Sequence, residues 1–230
     1  TWTHIGLEET TKINRIVIDP KDPNLVLVST QGDAKHNGQG IYRSTDGGKT
    51  WTNVLRPENA NGTRDLAYAY DVPNVMFATS QGAGGGFGGG GFGGGGAPQG
   101  PNGTALFKST DSGKTWSKVG SLPPYNGRIS VAIAMHTNGQ RVYVVGGPMQ
   151  GGSGLYRSDD QGTTWRHMAE GDTRVANGQG AFSSGVWVDS SNPDILYTVA
   201  TTVYQSVDGG KTFSAFKGAP GGEDPHDLWI

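Results

Sequence analysis

The chain has no cysteine among its 230 residues. That excludes a disulfide framework, a thiolate zinc site, an iron–sulfur cluster and a cysteine nucleophile. It also lacks a basic surplus: eighteen Lys and Arg stand against twenty Asp and Glu, for a formal net charge of −2. Nucleic-acid binders need a cationic face for the phosphate backbone, so no nucleic-acid partner is expected. No run of about 18 apolar residues occurs, so no membrane-spanning helix is expected. Helix signals are scarce throughout. No two histidines among His4, His36, His136, His167 and His226 have metal-ligand spacing, and no G-x-S-x-G elbow is present. Neither a metal nor any other cofactor is expected.

Glycine is what the chain has in excess, 40 residues, more than twice the average usage of about 7%. One tract, Gly82 to Gly96, reads GAGGGFGGGGFGGGG. It has no Lys-Ser/Thr and no strand-to-helix context, so it is no phosphate loop. It reads as a Gly-rich loop insertion over 82–100. The remaining glycines sit in turns between short β-branched and aromatic runs, which is the pattern of an all-β protein.

Internal repetition decides the fold. Ser44-Thr-Asp46-Gly-Gly48-Lys-Thr50-Trp51 recurs as Ser109-Thr-Asp111-Ser-Gly113-Lys-Thr-Trp116, as Ser158-Asp-Asp160-Gln-Gly162-Thr-Thr-Trp165 and as Ser206-Val-Asp208-Gly-Gly210-Lys-Thr-Phe213. The starting serines lie 65, 49 and 48 residues apart, and the tract at 82–100 accounts for the long interval. A short strand precedes each copy and another follows it, so each copy is a hairpin turn. The Asp carboxylate suits the turn's backbone N–H groups, the glycine suits positive φ, and the aromatic anchors the hairpin. Two earlier strands in each repeat complete a four-stranded antiparallel blade.

The S-x-D-x-G-x-T-W pattern resembles the Asp-box, or BNR repeat, of β-propellers. The chain is most similar to bacterial exported sortilin-like and glycosyl-hydrolase-like BNR repeat proteins, with Ile18-Asp19-Pro20 and His226-Asp227-Leu228 among the shared phrases. The resemblance implies a propeller of four whole blades, at approximately 13–55, 63–120, 127–169 and 183–217. Partial blades at 1–7 and 226–230 imply part of a larger ring, continued by further blades or by a partner subunit. It also implies a bacterial, extracytoplasmic setting, whether periplasmic, cell-surface or secreted.

Candidate chemistry lies where the innermost strands begin. Aligned on their apolar cores, these strands place Arg15, Asp65, Arg128, Gly185 and Asp227 at one position, with Asn14, Arg64, Gly127, Ser184 and His226 just before it. Arg15, Arg64, Arg128 and His226 are the candidate ligand-binding residues at the channel mouth. Asp65 and Asp227 are the candidate catalytic carboxylates, since glycoside hydrolysis needs such a pair. Structural ion pairs between blades at the channel mouth are the favoured expectation for the same residues, since ion pairs most often serve structure. Tyr125, Phe182 and Trp187 are candidates for stacking on sugars, with core packing the stronger expectation for Trp187. The Asp-box residues themselves are expected to be scaffold.

Two functions fit. The first is a non-catalytic propeller that binds a protein or a polysaccharide within a larger extracytoplasmic assembly. The second is a fragment of a secreted glycoside hydrolase, resembling xyloglucanases more than sialidases, whose Arg-Ile-Pro signature is absent from the candidate residues.

Overall fold

The computed structural model describes residues 3–32, 36–82, 103–148, 152–176, 185–217 and 228. The Gly-rich tract beyond Gly82, together with Phe182, Ser184, His226 and Asp227, lies outside the described residues. Sixteen strands and no helix occur among those described. The first four are β1 (Lys12–Ile18), β2 (Val26–Gln31), β3 (Gly40–Ser44) and β4 (Thr52–Leu55). The next four are β5 (Ala60–Tyr68), β6 (Met76–Gly82), β7 (Leu106–Ser109) and β8 (Ser117–Lys118). They are followed by β9 (Tyr125–Ile133), β10 (Val142–Pro148), β11 (Leu155–Ser158) and β12 (Arg166–Met168). The last set is β13 (Gly185–Val188), β14 (Leu196–Val199), β15 (Val203–Ser206) and β16 (Ser214–Lys217).

Within each set of four, chain neighbours pair antiparallel, so each set is a meander. A single bridge, Gln31 to Gly62, joins the first two sets into one sheet. Gly62 permits that bridge. Its φ is +138°, and a Cβ there would run into the Thr30 carbonyl.

The core is a series of apolar layers between successive sheets. Leu27 and Ile41 of the first unit meet Leu66, Tyr68 and Met76 of the second. Phe77 and Leu106 of the second meet Val131, Ile133 and Val144 of the third. Tyr143, Val145 and Leu155 of the third meet Val186, Leu196 and Phe213 of the fourth. The repeat aromatics obey one rule. Trp116, Trp165 and Phe213 each pack into the layer shared with the preceding unit. Each of these aromatic anchors therefore uses the preceding unit's surface, as in repeat folds that bury their core by stacking.

The turn of each repeat also docks on its own sheet. The N–H groups of Gly47, Ser112, Gln161 and Gly209 donate to the carbonyls of Asn24, Asn74, Gln140 and Asp194 at 2.9–3.1 Å. Gly113 (φ +74°) lies so close to the Leu27 side chain of the preceding unit that a Cβ would collide with it. Gly113→Ala is therefore expected to lose roughly 1–3 kcal/mol, from the left-handed backbone alone, with the clash in addition. A urea titration measures it, and a loss below about 0.5 kcal/mol would mean that the turn rearranges freely.

Candidate functional site

The four repeat turns are built alike. The Ser hydroxyl donates to the Asp carboxylate (Ser44 to Asp46, 2.7 Å; Ser109 to Asp111, 2.8 Å; Ser158 to Asp160, 2.7 Å; Ser206 to Asp208, 2.8 Å). The same hydroxyl accepts the N–H of Gly48, Gly113, Gly162 or Gly210 at 2.8–2.9 Å. Four positions after each Asp, a threonine gives its N–H to one carboxylate oxygen and its hydroxyl to the other. Hydrogen bonds from Thr115 and Thr164 lower the carboxyl pKa of Asp111 and Asp160 to about 2. At Asp208, burial pushes upward but the Thr212 hydrogen bonds outweigh it, again giving about 2. Asp46 is lowered further still, chiefly by Thr50. Every carboxylate oxygen is thus consumed inside its own turn. The aromatics are less uniform: Phe213 is buried, whereas Trp51, Trp116 and Trp165 are half-buried.

The inner strands β1, β5 and β9 bring a second set of charges together. Asp65 on β5 is the centre. Its Oδ2 accepts the Ser130 hydroxyl at 2.7 Å and the Val131 N–H at 3.1 Å, both from β9. Its Oδ1 accepts the Leu66 N–H at 3.0 Å and faces the Arg15 guanidinium of β1, Nε at 3.9 Å. Its own N–H donates to the Thr79 hydroxyl at 3.0 Å. Arg64 and Arg128 lie in the field of Asp65. Burial lowers the pKa of both. Arg128 falls to about 10, with the charge of Arg64 as the next cause.

The strand register corrects one expectation. Ile18, Tyr68, Ile133 and Val188 hold equivalent places, opposite Val26, Met76, Val142 and Leu196. Three residues earlier stand Arg15, Asp65, Ser130 and Gly185. Arg128 is therefore two residues out of line with Arg15, and Ser130 holds the position expected for it. The slip has a physical origin. Ile129, Val131 and Ile133 alternate along one face of β9, so a two-residue shift preserves the apolar pattern. Tyr125 is corrected too: it is 4% exposed and edge-on to Tyr156 at 5.9 Å, so it presents no sugar-stacking face. Trp187 packs against the cluster of Tyr197, Val199 and Val203.

One Ser–His pair escaped the sequence reading. The buried Ser153 hydroxyl lies 3.2 Å from His167 Nε2, and the His167 ring stacks on Tyr156 at 4.7 Å. Ser153 donates its single proton to the Met168 carbonyl and accepts the Leu155 N–H at 3.2 Å. With that proton committed, the imidazole is a donor to Ser153 and not its base. Among the described residues no group of three or more His, Asp or Glu is placed to hold a metal, and no helix is long and apolar enough to cross a membrane.

Successive four-stranded meanders, stacked through apolar layers and locked by identical Asp turns, define a β-propeller. The comparisons agree. The BNR/Asp-box repeat model matches residues 42–53. The chain is similar to a GH74 xyloglucanase from Xanthomonas campestris, with TM-score 0.69 and 18% identity, over 99% of this chain and 33% of that one. It is also similar to YCF48 from Cyanidioschyzon merolae, with TM-score 0.57 and 18% identity, over 95% of this chain and 60% of that one. In sequence, a xyloglucanase from Paenibacillus sp is 28% identical over an alignment of 222 positions that covers 93% of this chain and 17% of that protein. The chain thus spans a small part of the curated relatives it matches. The fold is thus a β-propeller that carries Asp-box (BNR) repeats, and the curated proteins to which the chain is similar include xyloglucanases.

Proposed function

We propose that this chain is a binding segment of an extracytoplasmic Asp-box propeller, holding a polysaccharide without cleaving it. One observation carries the reading: the saturation of Asp65. A glycosidase acid must give a proton to the leaving oxygen, and a nucleophile must offer a free lone pair. Asp65 spends both oxygens on Ser130, Val131 and Leu66 and faces Arg15 besides. Such a carboxylate is an anchor between strands. The polysaccharide comes from the printed names of the relatives, and the extracytoplasmic setting from the repeat's resemblance. Further blades, from the same polypeptide or from a partner subunit, complete the ring in this reading.

A second reading is a segment of a xyloglucanase-like hydrolase. It is favoured by the 28% identity spread along 93% of the chain. Release of reducing ends from xyloglucan, other glucans and polyuronates separates the two. The binding reading expects none above a no-protein blank, for the chain and for Asp65→Asn alike, together with retention on the polymer. Reducing ends that vanish in Asp65→Asn would establish the hydrolase instead.

A further inference from the structure

Three of the four boxes are clasped by the blade before them. The cation directly ahead of a box serine reaches the next blade's box and donates to the carbonyl just after its aspartate. Arg43 Nε reaches Ser112 at 3.0 Å, Lys108 Nζ reaches Gln161 at 2.9 Å and Arg157 Nη1 reaches Gly209 at 3.2 Å. Bonds from a charged donor are stronger than neutral ones, so the clasp helps to register blade on blade. The first box presents the same carbonyl at Gly47, and among the described residues no donor reaches it.

The apolar face of that first sheet is open as well. By strand register Ile16 corresponds to Leu66, Val131 and Val186. Those three are 2–4% exposed in the layers shared with the preceding blade, whereas Ile16 is 58% exposed. Ile18, in the place of the buried Tyr68 and Ile133, is 55% exposed. Three sister blades bury this face, and each does so against an Asp-box meander. Ile5 marks the direction from which the cover comes. Its carbonyl accepts the Trp51 indole N–H at 3.1 Å, and its side chain lies beside Gly48 of the box. Val54 and Leu55 at the end of β4 share a layer with Trp116 in the same way, as Val119 and Leu122 do with Trp165. Ile5 therefore holds the place of a preceding blade's outer strand. A second copy of this chain fits poorly. Its fourth blade carries Gln205 where the cation stands, that amide donates to its own Tyr197 at 2.8 Å, and Leu228 already packs on the Tyr197 cluster.

Deepening the completion of the ring in the reading above, on which it rests, we propose that this face of the first blade docks a further Asp-box blade. Ile16, Ile18, Trp51 and the Gly47 carbonyl form the surface. The occupant lies ahead of Thr1 in the same polypeptide, and Lys or Arg directly precedes its box serine.

The absence of cysteine from the chain gives a direct test. Ile16→Cys, with Leu66→Cys as the buried control, is labelled with N-ethylmaleimide in the 230-residue chain and in the native-length polypeptide. Peptide mass spectrometry reads each labelled site and the sequence ahead of Thr1. In the shorter form the Ile16→Cys thiol should react at least about tenfold faster than the control, as its exposure dictates. In the native-length form its rate should fall to that of the control. The nearest box ahead of Thr1 should carry the cation, and replacing that cation by Gln should raise the Ile16→Cys rate again. Equal rates for Ile16→Cys in the two forms overturn the docking. A native polypeptide that begins at Thr1 overturns the source, and a nearest box without the cation overturns the clasp. Protection that grows with the concentration of the shorter chain alone overturns the assignment in favour of a second copy. Labelling is read without polymer, so its failure leaves retention on a polysaccharide standing, and failed retention leaves this face standing.

Discussion

Replacing Phe77 with alanine is expected to destabilise the chain by about 3–5 kcal/mol, the range for removing a large buried aromatic. Phe77 is fully buried in β6, at the centre of the layer between the second and third blades. It is a floor for two distant features. The Lys108 ammonium lies over its ring at 5.9 Å, and Gly162 of the third Asp-box rests near its edge. Truncation therefore opens a cavity and also loosens a turn some 85 residues further along. Against a total stability of roughly 5–15 kcal/mol, this is a large share. Urea unfolding measures it. A loss under about 1.5 kcal/mol would mean that the layer closes over the gap and that the blades are not rigidly apposed.

The second large effect is acid unfolding. The unfolded carboxyl pKa is near 3.9, whereas Asp111, Asp160 and Asp208 are lowered to about 2 in the fold and Asp46 is lowered further. A carboxyl with a depressed folded pKa stabilises the fold above its unfolded value. That stability is lost as pH falls through the folded value. Four boxes respond together, so the melting temperature should stay flat down to about pH 4 and then fall steeply toward pH 2. Asp160→Asn should remove part of that slope while lowering the plateau, because an amide cannot accept from both Thr164 groups as a carboxylate does. A melting temperature unchanged between pH 4 and pH 2 would contradict the assignment of these carboxylates as acceptors in the turns.

The Asp-boxes were legible in the sequence because their chemistry is local. Ser44, Asp46, Gly48 and Thr50 satisfy one another within seven residues, so spacing and residue type suffice. The strands were legible for the same reason, as short apolar runs between such turns. The inner-strand site was legible only in part. The sequence named Arg15, Arg64, Asp65 and Arg128, and the structure brings these four together. It could not fix the register of β9, whose alternation of Ile129, Val131 and Ile133 looks the same after a shift of two. Ser130 and Thr79, which hold Asp65 in place, carried no signal. A serine or threonine in a strand is ordinary, and only its long-range partner gives it a role. Tyr125 was misplaced because β9 begins earlier than its apolar core suggests, carrying the ring inward against Tyr156.

The proposed function requires Asp65 to anchor β9 to β5 and not to act as a catalyst, and a double-mutant cycle on stability tests that anchoring most directly. Asp65→Ala, Ser130→Ala and the double variant would be unfolded in urea under identical conditions. Residues that share a hydrogen bond couple by about 0.5–3 kcal/mol, whereas independent ones add. The account predicts coupling in that range, with the double variant less destabilised than the sum of the single ones. Strict additivity, or an Asp65→Ala variant more stable than the parent, would contradict it, since a carboxylate that strains the fold is the mark of a catalytic group.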